Sequence, residues 1–177
     1  MKKSGKIALC GITIALSLVI MFISGLFPLT TYAAPALAGI LLLCIVIEIS
    51  RKYAFMVYIA TCILSFLIIP NRESSVIYIS LFGYYPMIRD FIYRSKNNTI
   101  KYIIKFSIFN VSFFLIYFLI EKIFLIPHNA IENLGDYGVY IFIFLANLAF
   151  FLYDIVIDRL TFFYVNRIQP KLTKLFK

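Results

Sequence analysis

The chain has 177 residues, of which 63% are hydrophobic and only 14% charged, with a mean hydropathy of +0.96 and a net charge of +9. So little polar surface cannot coat a soluble globule of this size. Long continuous apolar runs, in place of ten-residue alternating segments, select helices over a membrane barrel, because lipid requires every backbone group to be satisfied internally. The expected fold class is therefore all-α: a polytopic membrane protein with six transmembrane helices in one compact bundle.

In chain order, Lys2, Lys3 and Lys6 precede an apolar run over about 7–27, which suits a hydrocarbon core of ~30 Å. That run exceeds the ~7–15 apolar residues of a signal peptide, so it is expected to stay as the first span. It carries a seam of small residues, Ala8, Gly11 and Ala15, and ends at Phe27-Pro28. A short polar link, Leu29-Thr30-Thr31-Tyr32, leads through Ala33-Ala34-Pro35 into a second span over about 34–49. Ser50-Arg51-Lys52 forms a tight basic turn before a third span over about 53–69, and Pro70 to Ser74 supplies the next loop.

The fourth span, about 75–93, is interrupted by Gly83-Tyr84-Tyr85-Pro86, which predicts a kink or break. Beyond the polar segment Arg94 to Thr99, a fifth span covers about 100–126 and a sixth about 139–158. A basic tail occupies 159–177. Six spans put both termini on one side. Fifteen of the seventeen Lys and Arg fall on that side, leaving only Arg72 and Lys122 opposite, so the positive-inside rule makes both termini cytoplasmic. The positive charge marks topology and attraction to anionic lipid, and gives no support to nucleic-acid binding.

Polar residues at membrane depth are the next candidates, since lipid penalises them unless they are paired or face a cavity. Asn110 and Asn147 lie near the middle of spans five and six, where they can clasp each other or contact a ligand. Asp154 and Asp158 are four residues apart and share a helix face. With Glu48, Arg51, Arg89 and Asp90 they are expected to form an inner charged rim, with Lys105 at similar depth. Ion pairing is the favoured arrangement and a proton relay the alternative.

No catalytic constellation emerges. The single histidine, His128, falls in a loop, and no HExxH, CxxC or phosphate-cradling glycine loop is present, so the protein is not expected to be an enzyme. Cys10, Cys44 and Cys62 lie in apolar runs and are expected to be small core residues. No metal or cofactor is expected.

Binding or transport fits better. Gly11-x-x-x-Ala15 lets a neighbouring helix approach closely, either within the bundle or on a partner. Thr30, Thr31, Tyr32, Pro35, Tyr78, Tyr137 and Tyr140 are expected at similar depth on the outer side, as the wall of a small-molecule site or as an interfacial aromatic belt. The whole chain, in its size, its six short spans, its small-xxx-small first helix and its proline-bounded first outer loop, resembles the substrate-binding S component of energy-coupling factor transporters. That resemblance implies uptake of a vitamin-like nutrient through a bacterial plasma membrane. It also implies docking of Ala8, Gly11 and Ala15 onto a coupling membrane subunit, with separate cytoplasmic ATPases; glycine stands here for the first alanine of the family's AxxxA motif. A structural or assembly protein of the cell envelope is the alternative reading, and a small exporter or channel a weaker one, since Asn110 and Asn147 are too few to line a pore.

Overall fold

The computed structural model describes residues 3–25, 27, 30–92, 98–122 and 138–169, and all regular structure among them is helical. Helix α1 spans Lys3–Ile23, α2 Thr30–Glu48 and α3 Arg51–Ile68. A short α4, Arg72–Ile77, runs into a π-helical turn at Tyr78–Phe82, and α5 follows at Tyr85–Ile92. Helix α6 covers Asn98–Lys122, and α7, Gly138–Phe163, ends in a second π-helical turn at Tyr164–Ile168.

Four helical stretches, Lys3–Ile23, Thr30–Glu48, Arg51–Ile68 and Thr99–Ile116, are long and apolar enough to cross a membrane. Their outward faces are consistent with lipid contact: Leu67 and Val111 are 70% and 67% exposed, an arrangement that water would penalise.

Two sequence expectations need correction. Thr30, Thr31 and Tyr32 do not belong to an irregular link; they form the first turn of α2, and Pro35 lies inside that helix. The start is fixed locally, because the Thr30 backbone N–H and hydroxyl both donate to the Phe27 carbonyl, at 3.0 and 2.6 Å. The region over 75–93, for its part, is not one helix. Its break falls at Gly83-Tyr84, as the GYYP sequence predicts, but the distortion starts five residues earlier in the π-helical turn.

That broken segment is the axle of the bundle. Tyr58 of α3 donates to the Ile79 carbonyl at 2.7 Å, and the Tyr84 hydroxyl bonds Ser112 of α6. Gly39 of α2 backs onto it so closely that a Cβ there would meet the Phe82 carbonyl oxygen at 2.5 Å. Close approach of α1 and α3 relies on small hydroxyl residues. Thr13, Ser17, Thr61 and Ser65 are buried, and Thr13, Thr61 and Ser65 return their protons to carbonyls of their own helices.

Candidate functional site

Three groups of polar or small side chains stand out. The first is an ionic cluster joining α5, α6 and α7. Asp154 is buried at 5% exposure, and its two carboxylate oxygens accept from Lys105 Nζ at 3.0 and 2.7 Å. The Tyr85 hydroxyl donates to the same carboxylate at 2.5 Å, and Arg89 Nε lies 3.8 Å away. Arg89 also pairs with Asp158 and donates to the Thr161 hydroxyl at 3.1 Å.

The cluster follows from helix geometry. Tyr85 and Arg89 are one turn apart on α5, as are Asp154 and Asp158 on α7, so two i, i+4 faces meet. Among the described side chains two cations face two anions, and each buried charge has a partner of opposite sign, which is what low dielectric demands. Pairing of Asp154 and Asp158 with Arg89 agrees with the ion-pair expectation. Tyr85 and Thr161 were not expected, although their spacing from Arg89 and Asp158 was visible in the sequence.

The other rim residues are less integrated. Glu48 ends α2, faces Tyr164 of the second π-helical turn, and has a buried Oε1 with no hydrogen-bond partner. Arg51 opens α3, and Asp90 lies in α5 with its side chain outside the described set. Asn110 and Asn147 form a reciprocal clasp between α6 and α7, each amide donating to the other's oxygen at 3.0 and 3.2 Å. Each amide also donates to the carbonyl four residues back, Phe106 and Ile143, so both N–H donors of each are spent on structure.

The second group is the set expected to form an outer wall. Tyr32, exposed on α2, donates its hydroxyl to Glu73 of α4 at 2.9 Å. Asn71 donates to the Thr31 hydroxyl at 3.0 Å and to the Ser24 carbonyl at 3.3 Å, and its own oxygen caps α4 at the Ser74 N–H. These bonds stitch the ends of α1, α2 and α4 together. Pro35 and Tyr78 are fully buried, the latter against Met21, Ala38 and Ile69, whereas Tyr140 is 72% exposed on α7. Tyr78 and Tyr140 therefore share no surface. Tyr137 lies outside the described residues.

The third group is the seam. Ala8, Gly11 and Ala15 are all exposed, and a Cβ added at Gly11 would meet nothing within 4 Å. The face that packs into the bundle is a different one, formed by Thr13, Ser17 and Met21. At ~100° per residue the centres of the two faces lie about 150° apart around α1. Internal packing thus uses the hydroxyl stripe and leaves the Ala-Gly-Ala stripe bare.

No protein-family model, curated protein or solved structure matches this chain.

Proposed function

We propose that this is a non-enzymatic membrane subunit that captures a small vitamin-like nutrient and docks through α1 onto a coupling membrane subunit driven by cytoplasmic ATPases. It would lie in a bacterial plasma membrane with six spans and both termini inside, the broken α4–α5 segment counting as one span. The observation that carries the reading is the bare seam. Small residues on an exposed helix face give the chain itself no packing, and they let another helix approach closely. In this reading the α2–α4 stitch, Tyr32 to Glu73 and Thr31 to Asn71, is the closed outer lip of the nutrient site.

The test is co-purification. Gly11→Trp places a large side chain in open space, so it is expected to leave the fold intact and abolish recovery of a coupling subunit. Unchanged recovery would refute docking through α1. A second reading, an envelope assembly protein without a ligand, is favoured by the filled interior around Tyr78. Mass spectrometry of small molecules retained by the purified protein separates the two: a stoichiometric nutrient supports the first, and partner binding with no ligand supports the second.

A further inference from the structure

The inner end of α7 carries a basic strip. At ~1.5 Å per residue about 20 residues cross a hydrocarbon core of ~30 Å, which takes a helix that starts at Gly138 as far as Ile157. Arg159 then stands at headgroup level. Phe163 follows four residues on and Arg167 four further, so helical spacing puts the three side chains on one strip. The Arg167 guanidinium carbon lies 5.8 Å from the centroid of the Phe163 ring, so the strip continues through the second π-helical turn.

Its sign is set by sequence and structure together. Arg159 and Arg167 are both exposed, and neither makes an ion pair with a described residue. Asp158, beside Arg159 in the chain, is already held by Arg89, and Glu48 of α2 faces the half-buried Tyr164. From Arg159 to Lys177 the sequence carries Arg159, Arg167, Lys171, Lys174 and Lys177 and no Asp or Glu. Between the two arginines, Phe162 is 71% exposed and Phe163 47%. Water would penalise those rings and hydrocarbon would penalise the guanidiniums, whereas the boundary between acyl chains and headgroups suits both.

We propose that this strip binds anionic phospholipid of the phosphatidylglycerol type, with phosphate on Arg159 and Arg167 and the upper acyl carbons on Phe162 and Phe163. A guanidinium presents a planar fork of N–H donors that matches two phosphate oxygens. A choline lipid offers the same phosphate, but its quaternary ammonium sets a positive charge against the strip. Diffuse attraction from the net charge of +9 would be shared by every basic residue, whereas this site needs the two arginines beside exposed rings. The inference takes from the function proposed above only that α7 crosses the membrane. It uses neither the α1 seam nor the outer lip, so loss of lipid retention and loss of coupling-subunit recovery are separate outcomes.

The full chain, stripped of lipid in detergent and offered equal amounts of phosphatidylglycerol and phosphatidylcholine, is read by native mass spectrometry. Phosphatidylglycerol is expected to be retained at least about fivefold over phosphatidylcholine. Arg159→Gln combined with Arg167→Gln removes two exposed side chains that hold no ion pair with a described residue, so the melting temperature should stay unchanged while the preference is erased. Lys3→Gln combined with Lys6→Gln removes the same charge at the start of α1 and is expected to keep the preference. Equal retention of the two lipids, an undiminished preference in the arginine variant, or an equal loss in the lysine variant would overturn the proposal.

Discussion

Replacing Lys105 with methionine tests whether the α5–α6–α7 contact depends on charge balance. In the intact cluster Lys105 Nζ lies 2.7 and 3.0 Å from the two oxygens of Asp154, at 4% and 8% side-chain exposure. The variant leaves Asp154 with the Tyr85 hydroxyl at 2.5 Å and Arg89 Nε at 3.8 Å, the latter shared with Asp158. Among the described side chains the cluster then holds one cation against two anions. Breaking a buried pair in this way costs ~3–5 kcal/mol, and because Arg89 still compensates in part, a loss of about 3 kcal/mol is expected.

Restoring neutrality gives the decisive comparison. Lys105→Met combined with Asp154→Leu leaves Arg89 with Asp158 and removes the uncompensated charge, at the cost of an unpaired Tyr85 hydroxyl worth ~1–3 kcal/mol. The double variant should be more stable than Lys105→Met alone. Unfolding by a denaturing detergent, followed by far-ultraviolet circular dichroism because the chain has no tryptophan, gives both values. A loss below ~1 kcal/mol for the single variant, the scale of an exposed pair, would refute the reasoning, as would a double variant less stable than the single.

Two further predictions concern packing. Gly39→Ala should destabilise by ~1–3 kcal/mol, because its Cβ would meet the Phe82 carbonyl oxygen at 2.5 Å and the Tyr153 hydroxyl at 2.9 Å. Gly11→Ala, with nothing within 4 Å, should be neutral or stabilising by up to ~1 kcal/mol from helix propensity alone. The same unfolding assay checks both. For the asparagine clasp, a double-mutant cycle of Asn110→Ala and Asn147→Ala should give a coupling energy of about 1 kcal/mol, from two interhelical bonds at ~0.6 each.

Legibility in the sequence divides along physical lines. Helix positions were readable to within a few residues, because hydrophobic length and charged ends are local signals. The Asn110–Asn147 clasp was readable too, since two amides at mid-depth on consecutive antiparallel spans have few other ways to satisfy themselves. Shared depth suggested ion pairing among Arg89, Lys105, Asp154 and Asp158, but it did not say which cation meets which carboxylate. The role of Tyr85 was not foreseen, because it depends on how far the π-helical turn rotates α5 relative to α4, and no local residue preference fixes that angle. The outer wall failed as a single surface for a related reason. Depth along a span is written in the sequence, but the direction a residue faces around a broken helix is not, so Tyr78 turned inward where Tyr140 turned out.

The direction of facing is also what gives the seam its meaning. As a pattern, Gly11-x-x-x-Ala15 is common to helices that pack at home and to helices that pack abroad. Glycine in a helix costs ~1 kcal/mol relative to alanine, a cost that contact usually offsets. At Gly39 the offset is visible, since the Phe82 backbone occupies the space a side chain would take. At Gly11 no described residue comes within 4 Å of where a Cβ would stand, and the bundle already packs α1 through Thr13 and Ser17 on the opposite side. In the proposed docking reading, a second molecule approaching α1 would fill that space. A helix of a partner protein is the approach for which small-residue faces are suited, because lipid chains conform equally well to leucine.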